Sequence, residues 1–183
     1  MRRRTAHETE SRLLQRAAEQ LTAVLGEVPP RWLLVTVAHQ QLWLVEGGRV
    51  ARRYGVSTAA VGLDAREGSF GTPPGVHRIE RRIGGEAPLG TWFRSREPVG
   101  RTWPADDSDD DLVLTRILTL EGLEPGVNRG PGIDSRERFI YIHGTNREAA
   151  IGRPVSRGCI RMSNTDVIHL FDQVREGDPV VIL

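Results

Sequence analysis

Cys159 is the only cysteine in the 183 residues, and it lies in the string Ser156-Arg157-Gly158-Cys159-Ile160-Arg161-Met162, sixteen positions after His143-Gly144. That pairing reads as a thiol nucleophile with an imidazole general base. A lone cysteine is elsewhere more often an inert buried group, since free Cys is among the most buried residue types. The neighbours argue for chemistry here. Gly158 removes bulk beside the thiol, so a substrate carbonyl can approach. The backbone N–H groups of Arg157, Gly158 and Cys159 are candidates to face a developing oxyanion. Arg157 and Arg161 flank the thiol with positive charge, which is expected to lower its pKa. Phe139-Ile140-Tyr141-Ile142 reads as a strand running straight into His143, and Gly144 turns the chain after it. A histidine so placed is held firmly yet remains reachable.

His143-Gly144-Thr145-Asn146, a short variable stretch and then Ser156 to Met162 together resemble the signature of the L,D-transpeptidase (YkuD-type) catalytic domain family. Gly71-Thr72-Pro73-Pro74-Gly75 resembles the family's Thr-Pro-x-Gly loop, and Trp32 to Thr58 its opening hairpin. The resemblance covers Trp32 to Leu183. One place departs from the pattern: many members carry His two positions before the cysteine, where this chain has Arg157. The base role therefore stays with His143, beside Gly144, and Arg157 is read as a lining residue.

The resemblance implies cysteine-dependent acyl transfer on peptidoglycan stem peptides, with no cofactor. The bond cleaved would be the L,D bond between the third-residue diamino acid and the terminal D-Ala of a tetrapeptide or muropeptide, through a thioester on Cys159. It also implies covalent inhibition by carbapenems. Such substrates carry carboxylates, which match the bidentate fork of Arg161, Arg157 or Arg153. Ser156 and Asn146 complete the candidate substrate contacts, with bracing of nearby backbone as the other use of such short polar side chains, Thr145 and Asn164 included. With water as acceptor the protein is an L,D-carboxypeptidase of muropeptide recycling, the favoured reading. With an amine it is an L,D-transpeptidase forming cross-links. A binding module for cell-wall fragments is the alternative of another class, and the intact Cys159 and His143 argue against it.

Composition closes several other routes. All 25 basic residues are arginine, so Schiff-base, P-loop and Ser-Lys chemistries that need a lysine are unavailable. A net charge of +1 gives no overall field toward nucleic acid or membrane. One cysteine and five dispersed histidines build no multi-cysteine zinc site and no His-Glu-x-x-His motif, so no metal is expected. No apolar run reaches the roughly 18 residues of a membrane span. Met1-Arg2-Arg3-Arg4 is followed by polar residues instead of an apolar h-region, from which a cytoplasmic location is expected.

The elements that must carry the motif are mainly strands. Residues 1–30 read as an N-terminal helical extension packed on a 31–183 catalytic domain, its helix spanning Ser11 to Leu25 with Leu13, Leu14, Ala17, Leu21, Val24 and Leu25 on one face. Strands are expected near 32–37, 41–45, 49–57, 76–81, 112–120, 138–142 and 179–183. Asn164 is expected to cap a short helix after the cysteine, with Val167, Leu170, Phe171 and Val174 on its apolar face. The sum is a mainly β domain, a sandwich or barrel-like sheet with two helices. Gly84 to Asp111 has little periodicity and reads as irregular, with Gly85–Gly100 a flank of the site groove and Asp106 to Asp111 a solvated acidic loop.

Overall fold

The computed structural model describes residues 2–106 and 108–183, with side chains from residue 10 onward. Its elements are α1 (Arg2–Leu25), β1 (Arg31–Thr36), β2 (Gln41–Glu46), β3 (Arg49–Gly55), β4 (Gly75–Ile83), β5 (Thr91–Arg94), β6 (Glu97–Thr102), β7 (Val113–Gly122), β8 (Tyr141–Gly144), β9 (Ile160–Met162), α2 (Asn164–Gln173) and β10 (Pro179–Ile182). All ten strands join one open mixed sheet, ordered β3-β2-β1-β10-β4-β7-β5-β6, with β8 and β9 branching from β7. The class is mainly β, with one helix before the sheet and one after Cys159. First and last strands are parallel neighbours, Leu34 facing Val181.

Two-residue alternation explains why the central strands are apolar throughout. Leu33, Val35, Leu42, Leu44, Val180 and Ile182 turn to a core shared with α2. Their neighbours Trp32, Leu34, Trp43, Val45 and Val181 turn to the other face, where Ala17 and Leu21 of α1 meet them. Each such leucine, fully buried, contributes about 1.5–3 kcal/mol. α1 begins well before Ser11, and of its expected apolar face Leu25 is exposed. Ser163, one residue earlier than expected, caps α2 by accepting from Asp166 N at 3.2 Å.

The segment expected to be irregular contains a hairpin, β5–β6, whose turn places Ser95 and Arg96 at φ 50° and 75°. Every residue of β6 is exposed, so no inward–outward alternation marks it in the sequence. β9 was likewise absent from the expected strands; it is three residues long. β8 starts at Tyr141, later than expected, because Phe139 takes φ 55° and closes a turn in front of it.

Candidate active site

The site is assembled by the parallel pair β8–β9. Ile142 faces Ile160 and His143 faces Arg161 in register, while Ile142, Ile160 and Met162 point into the α2 core. Alternation therefore puts Tyr141, His143, Cys159 and Arg161 together on the opposite face. Cys159 lies one diagonal step from His143. The half-buried thiol accepts from Tyr141 N and donates to Phe139 O, both at 3.4 Å.

His143 is 3% exposed, and its Nδ1 lies 2.6 Å from Gly144 O. A carbonyl can only accept, so Nδ1 carries the proton and Nε2 presents its lone pair. Burial lowers the ring's pKa; the Gly144 bond and Asp111 oppose this, and Arg161 adds to it. At neutral pH the ring is an unprotonated base.

The expectation of a depressed thiol pKa is overturned. Burial pushes Cys159 up to about 11. The Tyr141 N–H bond, Arg161 and Arg138 act downward but are outweighed, and Asp111 acts upward. The reason lies in two neighbours that spacing did not connect. Asp111 forms an ion pair with the buried Arg161 guanidinium and so cancels much of its field. Arg157 is exposed, its guanidinium 5.9 Å from the Phe70 ring centroid, and exerts no resolved effect on the thiol.

The turn before the cysteine is braced from three sides. Ser156 is buried, donates to Cys159 O at 2.6 Å and accepts from Gly158 N at 3.2 Å, so it holds the turn together instead of lining the groove. With its N–H so engaged, Gly158 is not free to serve as an oxyanion donor in the resting site, and of the expected three the N–H groups of Arg157 and Cys159 remain the candidates. Gly158 adopts φ +123°, and a Cβ there would lie 3.1 Å from Ile140 Cδ1 and 3.2 Å from Gly71 O. Thr72, in the Thr-Pro loop, donates to Gly158 O at 2.9 Å. Arg138, which sequence reasoning passed over, ties that loop down by donating to Ala65 O and Gly71 O at 2.8 Å each.

A groove of about 650 Å3 opens beside Arg161 and is lined by Arg147, Arg153, Arg157 and Asp109 to Asp111. Asp109 to Asp111 are exposed and irregular, as expected of a solvated acidic loop, and they also wall this groove. Asn146 is a brace here, not a groove contact: its amide donates to Ser108 O and Asp110 O at 3.1 and 3.0 Å, and its oxygen accepts from Leu112 N. On the other side of the thiol, Arg96 of the hairpin turn donates to Tyr141 Oη at 2.9 Å and lies 5.3 Å from the Phe139 ring centroid. That hairpin contacts Tyr141 beside the thiol, whereas no residue of 85–100 lines the groove beside Arg161. Among the described residues, no group of three or more His, Cys, Asp or Glu could hold a metal, and no helix is long and apolar enough to cross a membrane.

Comparison with known proteins agrees with this geometry. The chain is 56% identical over 98 residues to the YkuD protein of Bacillus licheniformis, which bears an L,D-transpeptidase name, covering 48% of this chain and 55% of that one. It is 54% identical over 73 residues to the similarly named YqjB of Bacillus subtilis, covering 37% and 42%. The chain thus spans about half the length of these relatives. In fold it resembles L,D-transpeptidase 3 from Mycobacterium tuberculosis, solved with a faropenem-derived adduct, at TM-score 0.52 and 18% identity over 84% of this chain and 60% of that one. The model of the L,D-transpeptidase catalytic domain (YkuD) family matches residues 30–182, and the chain belongs to that family.

Proposed function

We propose that the protein performs cysteine-dependent acyl transfer on peptidoglycan stem peptides, cleaving the L,D bond before the terminal D-Ala. The observation that carries this reading is the shared face of β8 and β9. It sets a thiol near a neutral imidazole whose Nε2 presents a lone pair, close to a groove whose arginines and aspartates together suit a peptide ligand that carries both carboxylates and an amine. Because the resting thiol is neutral, attack on the carbonyl carbon is coupled to transfer of its proton to His143 Nε2. The N–H groups of Arg157 and Cys159 receive the oxyanion. Collapse breaks the C–N bond, His143 returns the proton to the departing amine of D-Ala, and a thioester to Cys159 remains. Water then attacks with His143 again as base, releasing the tripeptide acid and the thiol.

Water is the acceptor we favour. The hairpin turn lies against Tyr141 and Phe139, the two residues whose backbone contacts the thiol, with Arg96 donating to Tyr141 Oη at 2.9 Å. That crowding suits a small acceptor. The transpeptidase names of the relatives support an amine as the second reading. The faropenem-derived adduct on the M. tuberculosis protein supports covalent trapping of Cys159 by a strained β-lactam carbonyl. Incubation of purified protein with a tetrapeptide muropeptide, with and without an added amine, followed by chromatography and mass spectrometry, tests the proposal. Tripeptide plus D-Ala is the expected product. A cross-linked dimer as the main product reverses the choice of acceptor, and unchanged tetrapeptide with no acyl-enzyme overturns the activity.

A further inference from the structure

We infer that Asn164, together with Thr115, is a positioning group that fixes the tautomer and tilt of His143 through the Gly144–Thr145 backbone. This rests on the reading of His143 as base and deepens it. Asn164 is 2% exposed and Thr115 is fully buried. One hydrogen of the Asn164 amide goes to Thr145 O at 2.8 Å and the other to Glu148 Oε1 at 2.9 Å. Its oxygen accepts from the Thr115 hydroxyl at 2.6 Å, and that hydroxyl in turn accepts from Gly90 N at 3.0 Å. Every polar atom of the side chain is thereby used, and only an amide supplies two donors and an acceptor in this arrangement. An aspartate would present an oxygen to two other acceptors.

Helix capping does not account for this network. The side chain that caps α2 is Ser163, whereas that of Asn164 turns away from its own helix to the end of β8. There it sits directly beneath Gly144, where a Cβ would collide with its Oδ1 and would lie 2.7 Å from Leu114 O. The Gly144 carbonyl is the group that holds His143 Nδ1 at 2.6 Å. Asn164 grips the next carbonyl along and packs its Oδ1 under Gly144, which together narrow the torsions open to the peptide plane bearing the Gly144 oxygen. On the facing strand, Leu114 pairs with Gly144 at a bulge, and Thr115 within it takes φ 71°. A β-branched residue in the left-handed region is strained, and such strain persists only where the surroundings over-determine it. The two hydrogen bonds of the Thr115 hydroxyl are those surroundings.

The test reads the imidazole directly and needs no turnover. Two-bond 1H–15N correlation spectra, with His143 assigned by His143→Gln, are expected to show the Nδ1–H tautomer in the parent. Asn164→Ala and Thr115→Val are expected to lose that signature for a mixture of tautomers. Their rate of Cys159 acylation by a β-lactam at pH 7 should fall about tenfold, a part of the 10²–10⁴-fold effect of a placed general base. Thr115→Ser, which keeps the hydroxyl, should restore both. Should Asn164→Ala fail to fold, the Thr115→Val and Thr115→Ser pair and the tautomer of the parent decide the matter. An Nε2–H tautomer in the parent, or variants that keep the Nδ1–H signal and the parent's rate, overturn the inference. A parent that holds the Nδ1–H form yet is never acylated overturns the acyl-transfer reading and leaves the positioning of His143 standing.

Discussion

With His143 as the proposed base, its removal should change the shape of the pH–rate profile as well as its height. With the thiol near 11, its ionised fraction at pH 7 is four pH units below half, roughly one part in 10⁴. His143 is neutral there because burial lowers its pKa from 6.5. The parent enzyme should therefore be acylated at a rate that has already levelled off by pH 7 and stays flat to pH 9. His143→Ala must rely on the spontaneous thiolate, which rises tenfold per pH unit until about 11. The expected deficit is about 10²–10⁴-fold at pH 7, the usual contribution of a general base, and it should shrink by about a hundredfold between pH 7 and 9. Intact-protein mass spectrometry of a β-lactam adduct, timed at pH 6 to 9.5, measures both curves. Parallel profiles for the two proteins would refute the reasoning, as would a parent thiol that titrates below pH 8 in the absence of ligand.

Other perturbations follow from the same geometry. Cys159→Ala should fold with its thermal midpoint nearly unchanged, since it removes one half-buried sulfur with two long contacts, and it should form no adduct; an adduct on that variant would move the nucleophile elsewhere. Gly158→Ala forces a side chain into φ +123° against Ile140 and Gly71, and should lower both the melting temperature and the acylation rate; a variant as active as the parent would show that the turn tolerates displacement. His77, wholly buried between Gly75 O and Ser135 Oγ, is held down to about 4. Its depressed pKa means that the unfolded chain takes up the proton first, so stability present above pH 6.5 is lost as pH falls toward 4, by about 3 kcal/mol in all. Urea midpoints at pH 7 and 4.5 should differ more for the parent than for His77→Gln, and equal differences would refute this assignment.

What the sequence disclosed and what it hid divide along physical lines. The central strands were legible because burial on both faces leaves apolar runs such as Trp32 to Val35, and α2 because Val167, Leu170, Phe171 and Val174 repeat at helical spacing. Cys159 and His143, the proposed pair, stood out in the sequence through residue types and neighbours. The strand that places the cysteine was not, since three residues carry no period. β6 was hidden for a different reason: an exposed edge strand containing Pro98 and Gly100 has no buried face to alternate with. Asp111 was the costliest omission. Its partner Arg161 is fifty positions away, and local spacing gave the acidic run only to solvent, whereas Asp109 to Asp111, though exposed, also wall the groove.

That omission bears on how the thiol works. Counting flanking arginines treats charge as additive along the chain, but the field at a half-buried sulfur depends on which charges are neutralised and on how much water has been removed. Arg161 spends its charge on Asp111, Arg157 lies exposed against the Phe70 ring, and desolvation is left as the largest influence. A thiolate held ready by an ion pair would react with any electrophile that reached it. On the proposed mechanism, a neutral thiol that needs His143 at the moment of attack reacts only when a carbonyl is seated long enough for proton transfer and bond formation to coincide. Selectivity in this site therefore lies in positioning, which is why the backbone around Gly144 and Gly158 is braced so heavily by Thr72, Arg138, Ser156 and Asn164. Simple alkylating reagents should accordingly label Cys159 slowly at pH 7, and a strained β-lactam seated in the arginine-lined groove should outpace them.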